Sequence, residues 1–499
     1  MANDTIVARS NSVALMAAST LGLSMTACSF GSTGDPVAAR ECDLSRLRRA
    51  VVIRATLTEV GLMLARFRAP KMLMSGVSAT GCLGLALAGC SSTQPVWAPA
   101  VPSSLSNASV AAKGDRSAEP AAKSALTVLW SFGSAPDGSA PAGAVIVDNA
   151  GNVFGTTIRG GSSNDGAVFE IKPPKKGKVW TESILHSFDG TDGTYGAGAV
   201  EDASGNLFVS ASQGGSGYND GTVMELSPSG GSYAETGVFS FNYTDGAGPL
   251  AAVLESGTLY TATQGGGTHS SGAIVALTGS GLNETDLYNF TGGSDGNTPF
   301  AGLVADSTGA LYGTTGAGGT AQLGNVFKFV PNGSGGGTES VLWSFVGNNG
   351  GAYPRGGVVL DGSGNIYGTT FYTNAQGSGN PGAGIVFKLT PNGSTYTESI
   401  LHAFSPGKSG EDGAGPTAGL TLVGSMLYGT TTYGGTKKKA QGGTVFQVST
   451  SGTNYAVLHS FEGSDGSDPT SPLSASGEYL YGATFAGGSG HGVVFRLPL

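Results

Sequence analysis

Cysteine is missing from most of this chain. Its four copies, Cys28, Cys42, Cys82 and Cys90, all fall within the first 90 of 499 residues. The rest can hold no disulfide, no thiolate nucleophile and no cysteine-based metal centre, so packing and backbone pairing must hold it together. Charge is also scarce: Asp, Glu, Lys and Arg make up 12% of the chain, against about a quarter in an ordinary soluble protein. Positive charge is scarcer still. From Leu126 onward there are 27 acidic residues against 13 Lys and Arg, whereas residues 1–125 carry 7 acids and 12 bases. An acidic domain has no electrostatic footprint for a phosphate backbone, which excludes nucleic acid as a partner. It also disfavours docking on an anionic membrane surface. No Ser/His/Asp order, phosphate-binding loop or zinc signature is present.

Glycine is abundant, with 86 copies. Aromatic and β-branched residues sit between Gly/Asn/Asp/Ser clusters, the pattern of short strands and turns. Two markers recur. The first is an aromatic followed by a small-residue run, fullest as Leu-Tyr-Gly-Thr-Thr; its aromatics are Phe154, Phe208, Tyr260, Tyr312, Tyr367, Tyr428 and Tyr481. The second is an apolar stretch ending in Phe132, Phe188, Phe241, Phe290, Phe345, Phe404 and Phe461. Two markers with one period and one count mean a tandem repeat.

One unit shows the order: a strand over 301–306, a second over 311–315, a Gly-rich loop, a third over 325–329 and a fourth over 340–345. Four short antiparallel strands in some 50 to 55 residues form a β-propeller blade. The first element, 126–132, is a fourth strand with no first three before it, and the last, 493–497, is a third strand with no fourth after it. The expectation is an all-β, seven-bladed propeller over 126–499, closed by the N-terminal strand 126–132 completing the last blade, which removes the exposed edges at the seam. The first strands are built from small residues such as Ala142-Gly143-Ala144 and Gly356-Gly357, as convergence of seven sheets would require.

The N-terminal region reads as an address and a tether. Residues 63–90 have a basic start, a short apolar core and the ending Leu87-Ala88-Gly89-Cys90, the form of a secretory signal. That ending resembles the bacterial lipobox, which implies lipid attachment at Cys90, and Ser91 after it implies sorting to the outer membrane. The apolar core is too short to span a bilayer permanently. A weaker, similar pattern ends at Cys28, so the start lies at Met1 or Met63 and the anchor at Cys28 or Cys90. We read 1–62 as a disordered upstream segment outside the true gene. Residues 91–125, rich in Ser, Ala and Pro, read as a disordered tether with a mean reach of roughly 30–35 Å.

Residues 126–499 resemble the bacterial GloVer tandem repeat of choice-of-anchor extracellular proteins. The resemblance rests on Leu-Tyr-Gly-Thr-Thr, the Gly-Gly loop, the run Val386 to Leu389, the run Val457 to Phe461, and Asp-Gly-x-x-Pro before the first strand. It implies secretion and attachment at the cell surface, and brings no catalytic residues.

Candidate ligand residues lie in the longer loops, where binding sites on rigid β scaffolds usually sit. A near-ring of acids occupies the Asp-Gly-x-x-Pro position: Asp137, Asp192, Asp245, Asp295, Asp412 and Asp465, with Gly350 breaking the series. Asp-Gly is a favoured turn pair, so the ring reads first as turn chemistry and second as a rim for Ca²⁺ or hydroxyl-rich ligands. One Asp per blade falls short of the six to eight oxygens that calcium takes. We therefore assign no cofactor, with Ca²⁺ as the one ion the rim suggests. His186, His402 and His459 share one repeat slot with Trp130, Phe239, Tyr288 and Trp343, the signature of a packing position. His269 and His491 stand in loops between second and third strands. The basic stretches Lys172 to Lys178 and Lys437-Lys438-Lys439 read as solvated loops. The functional expectation is a non-enzymatic, monomeric, surface-anchored module that meets a glycan, peptide or other surface component through its Gly-rich loop face. The alternative is an extracytoplasmic lyase or hydrolase with a site in the central funnel. Convergence of His269, His491, Glu255 or the Asp ring would favour the enzyme.

Overall fold

The computed structural model describes residues 126–499 apart from Ser134, Lys178, 375–381, 406–410 and 436–441. Cys28, Cys90, the signal segment 63–90, the tether 91–125 and Lys437 to Lys439 lie outside the described residues. The described residues form seven antiparallel sheets in a ring and contain no helix. Blade one is Gly138–Val147, Val153–Gly160, Ala167–Lys172 and Thr181–Ser187, paired in chain order. Blades two to six follow over 194–240, 247–289, 297–344, 359–403 and 421–460. Blade seven takes Ser474–Ser476, Tyr479–Thr484 and Val493–Pro498 from the end of the chain and Thr127–Ser131 from before blade one. Thr127 pairs with Arg496 and Ser131 with Val493, so the expected closure is present.

The repeat motifs explain the packing. The Gly of Leu-Tyr-Gly-Thr-Thr lies directly across the ladder from the third-strand Phe, as Gly313 from Phe327 and Gly368 from Phe387. A Cβ at Gly313 would stand 2.6 Å from the Phe327 ring; the missing side chain is the space the ring fills. That ring also meets the marker Phe of the preceding blade edge-on, with centroids 5.1 Å apart for Phe290–Phe327 and 5.3 Å for Phe461–Phe495. The marker Phe residues are fully buried or nearly so. The hydrophobic clusters therefore lie between blades, and each joins residues of neighbouring sheets.

At the centre the first strands press together. A Cβ on Gly143 would lie 2.7 Å from the Gly198 Cα, and one on Gly356 would lie 2.3 Å from the Ala418 carbonyl oxygen, both impossible contacts. Buried threonines cross the same boundary: Thr314 Oγ1 donates to the Gly356 carbonyl and Thr369 Oγ1 to that of Ala418. Ser474 donates to the Val145 carbonyl and ties blade seven to blade one at the centre. One expectation needs correction. The first strands of blades three and four are broken in two, Ala247–Pro249 with Val253–Glu255 and Asn297–Pro299 with Val304–Ala305. Small residues placed for close approach interrupt the ladder there.

Candidate functional site

The acids of the Asp-Gly position sit in the loops between blades. Each of the six accepts a hydrogen bond from the backbone N–H of the residue after the marker Phe. The donors are Gly133 to Asp137, Asp189 to Asp192, Asn242 to Asp245, Thr291 to Asp295, Ser405 to Asp412 and Glu462 to Asp465, at 2.6 to 3.0 Å. This is turn chemistry, since a short carboxylate ties down a nearby backbone donor.

Sequence reasoning missed a second partner of these carboxylates, which meets the free oxygen in Asp192 and Asp465 and the already bonded oxygen in Asp295 and Asp412. The slot two residues before the marker Phe faces the Asp. His186 Nε2 is 2.6 Å from Asp192 Oδ2, His459 Nε2 is 2.8 Å from Asp465 Oδ2, and the Tyr288 hydroxyl donates to Asp295 at 3.0 Å. His402 Nε2 stands 3.4 Å from Asp412, too poorly aligned for a hydrogen bond, with its ring flat against Tyr455. Burial pushes the His402 pKa down, against the pull of Asp412. In each of these units the slot lies at the end of the fourth strand and the Asp in the loop that follows, with the marker Phe between them.

A third position completes each junction: the outer-strand residue four before the slot in the following blade. It is Glu182, Glu235, Glu284, Glu339 and Glu398 in blades one to five and Tyr455 in blade six. Burial, with Asp137 beside Glu182 and Asp295 beside Glu339, pushes Glu182, Glu339 and Glu398 up to about 7. At the junction of blades one and two, ligand atoms of His186, Asp192 and Glu235 come within 4.8 Å of one another.

The inner rim of the loop face is built differently. The residue before Pro in Asp-Gly-x-x-Pro takes positive φ in every blade, at Ala140, Tyr195, Gly248, Thr298, Tyr353, Gly415 and Asp468, with Gly196 in place of proline in blade two. Each of these seven donates its N–H to a carbonyl in the second-to-third-strand loop of the preceding blade, from Ala140 to His491 through Asp468 to Gly442, at 2.8 to 3.0 Å. Non-glycine residues held in this region are strained, and such strain gathers at ligand-facing places.

After the proline position come Ala142, Ala197, Leu250, Phe300, Arg355, Thr417 and Thr470. Arg355 is the one charged residue of that ring. Its guanidinium lies 4.0 Å from the Phe371 centroid and 6.0 Å from that of Phe300. Tyr372 packs edge-on against both Phe371 and Tyr353, and Tyr433 is half exposed beside them. Burial pulls the Arg355 pKa down, with only tyrosines nearby to oppose it. Among the described residues it has no carboxylate partner and no hydrogen bond. Comparison of the seven post-proline positions would have found it from sequence.

The remaining candidates do not converge. His269 is exposed, with Nδ1 at the Thr268 hydroxyl, and His491 Nδ1 meets the Ser139 hydroxyl of blade one. Glu255 ends a first strand on the opposite face, beside an open concavity of about 350 Å³ lined by Tyr260, Thr308 and Val330. That concavity gathers one acid and no base, and lies on the face opposite the strained rim.

A model of the Gloeobacter/Verrucomicrobia repeat matches residues 117–256, 198–380 and 370–499. No curated protein sequence matches the chain. Solved structures similar to it include the WD40 β-propeller domain of Doa1, with 9% identity and a TM-score of 0.45 over 74% of this chain and 96% of that one. A gluconolactonase from Xanthomonas campestris has 11% identity and a TM-score of 0.37 over 75% and 89%. PorZ, a surface component of the type-IX secretion system of Porphyromonas gingivalis, has 13% identity and a TM-score of 0.43 over 70% and 46%. At such identities none of their activities transfers.

Proposed function

The chain belongs to the Gloeobacter/Verrucomicrobia repeat family, and from that premise we propose that it is a non-enzymatic, surface-tethered binding module. Its ligand is a glycan that carries carboxylates, held at the inner rim of the Gly-rich loop face. The observation that carries this reading is Arg355. A guanidinium offers five donors in a planar fork that suits a carboxylate, and this one is stacked on Phe371 without an acidic neighbour. Stacking leaves the edge of the fork for a ligand, while Phe300, Tyr353 and Tyr433 supply faces against which sugar rings pack. Outside that spot the acidic domain repels anions, so selection is local.

The expected lipobox at Cys90 suits this role: an acylated Cys90 would tether the chain to a membrane. An enzyme reading has less support, because among the described residues His269, His491 and Glu255 form no shared constellation.

A glycan and peptide array, run with and without Ca²⁺, tests the proposal. We expect retention of uronate-bearing oligosaccharides and neglect of their neutral counterparts, with binding that weakens as salt rises. Arg355→Gln should weaken binding at least tenfold, in line with about 1.5–3 kcal/mol for a hydrogen bond to a charged group. Arg355→Lys should fall between. Equal binding by Arg355→Gln, or no glycan bound, would end the proposal.

A further inference from the structure

We propose that the junction between blades one and two is a zinc site formed by His186, Asp192 and Glu235. The seven junctions are built on one plan, which makes six of them controls for the seventh. Junctions with a His–Asp pair elsewhere lack the acid: Tyr455 stacks on His402 in one, and Leu126 stands at the corresponding place beside His459 and Asp465 in another. Junctions with the Glu elsewhere lack the His: Trp130 stands with Glu182, Phe239 with Glu284, Tyr288 with Glu339 and Trp343 with Glu398. Only here, among the described residues, do an imidazole nitrogen and two carboxylates meet within 4.8 Å.

A second observation singles out the same place. In the other six blades the outer strand carries a bulge at the Leu before the slot, as between Val168 and Phe169 opposite Leu185 or between Val326 and Phe327 opposite Leu342. In blade two the ladder runs regularly past Phe239 and Val238, and the extra residue is Thr236, next to Glu235. Bulges re-aim side chains at sites. The displaced bulge leaves Glu235 exposed, with no hydrogen bond or ion pair among the described residues, whereas Glu182, Glu339 and Glu398 are half-buried.

The ligand atoms are prepared for a metal. Asp192 Oδ1 accepts the Asp189 N–H at 2.9 Å, which leaves Oδ2 as a single directed donor at 2.6 Å from His186 Nε2. The His186 ring is braced edge-on by Phe188, at 5.7 Å between centroids. Three protein ligands from imidazole and carboxylate, with a fourth position open to water, suit Zn²⁺. The nitrogen argues against Ca²⁺ and Mg²⁺, which prefer oxygen alone. Ligand atoms on tetrahedral zinc stand roughly 3.3–3.5 Å apart, so side-chain rotation suffices. The metal would cross-link the outer strands of two neighbouring blades.

The test is calorimetric titration of ZnCl₂ into the full chain after removal of metal by chelator, with thermal melts alongside. We expect one saturable site per chain and a melting temperature raised by zinc. His186→Phe, which places the blade-two slot residue in blade one, should abolish the site. Glu235→Gln, at an exposed position that does not threaten folding, should weaken it at least tenfold. His459→Phe should leave it unchanged. An absence of saturable binding, a site that survives both His186→Phe and Glu235→Gln, or equal loss in His459→Phe would overturn the assignment.

Discussion

Three outer-strand glutamates hold protons that free carboxylates would release. Glu182, Glu339 and Glu398 are raised by burial from 4.5 to about 7. Their folded-state values exceed the unfolded value, so their support for the fold is complete below about 4.5 and is lost as pH rises through about 7. His402 opposes them: its lowered value gives support that is present above the ordinary histidine value and lost on acidification. Three groups outweigh one, so thermal melts should show stability rising as pH falls from 8 to 5.5. Glu398→Gln should reduce that rise and raise stability at pH 8 by about 1 kcal/mol, a figure kept small because solvent reaches part of the carboxyl. An equal slope in wild type and variant would contradict the assignment. These pairings were only partly legible beforehand. Tolerance for Trp, Tyr, Phe or His at the slot read as packing, and the rings are indeed half-buried. The polar edges of His186, Tyr288 and His459 meet the Asp because the chain folds back after the marker Phe, and no spacing rule expresses such a reversal.

At the scale of the element, the N-terminal strand is the informative case. Thr127–Ser131 supplies the outer edge of blade seven, and Leu129 and Phe132 are buried in its interblade core. A chain without 127–132 should lose more than the ~3–5 kcal/mol typical of deleting one large core side chain, since two are removed, and should expose Val493–Pro498 as an unpaired edge. Denaturant melts and light scattering would register a lower midpoint and aggregation, and an added peptide of residues 126–132 should restore both. An unchanged midpoint would mean the strand does not close the ring. Blade number, strand order and this closure were legible because markers recur with chain ends that complement each other. The broken first strands of blades three and four were not, since runs such as Ala251-Ala252 carry no alternation to say where pairing stops. Bulge positions escaped for a similar reason: they answer to packing between blades, and the periodicity of one strand does not contain it. Arg355 was legible in principle, as one charged residue among seven aligned positions, but alignment by motif drew attention to the Asp before the proline.

For the whole molecule, the proposed role depends on where the propeller is held. If Cys90 is the acylated residue, Cys90→Ser should move the protein from the membrane to the soluble fraction, while Cys28→Ser should leave it in place; fractionation and labelling with a radioactive fatty acid would read both. The reverse pattern would transfer the anchor to Cys28 and restore 1–62 to the gene. Held there, the propeller presents the strained inner rim, and its construction has a further consequence. The bond that each positive-φ residue makes to the preceding blade uses only main-chain atoms, so its side chain has no part in that bond. Ala140, Tyr195, Thr298, Tyr353 and Asp468 differ as widely as side chains can, on identical backbone. Side chains at the rim can therefore be exchanged between homologous rings at fixed coordinates, much as letters are changed on a fixed dial, without breaking the bond that joins one blade to the next.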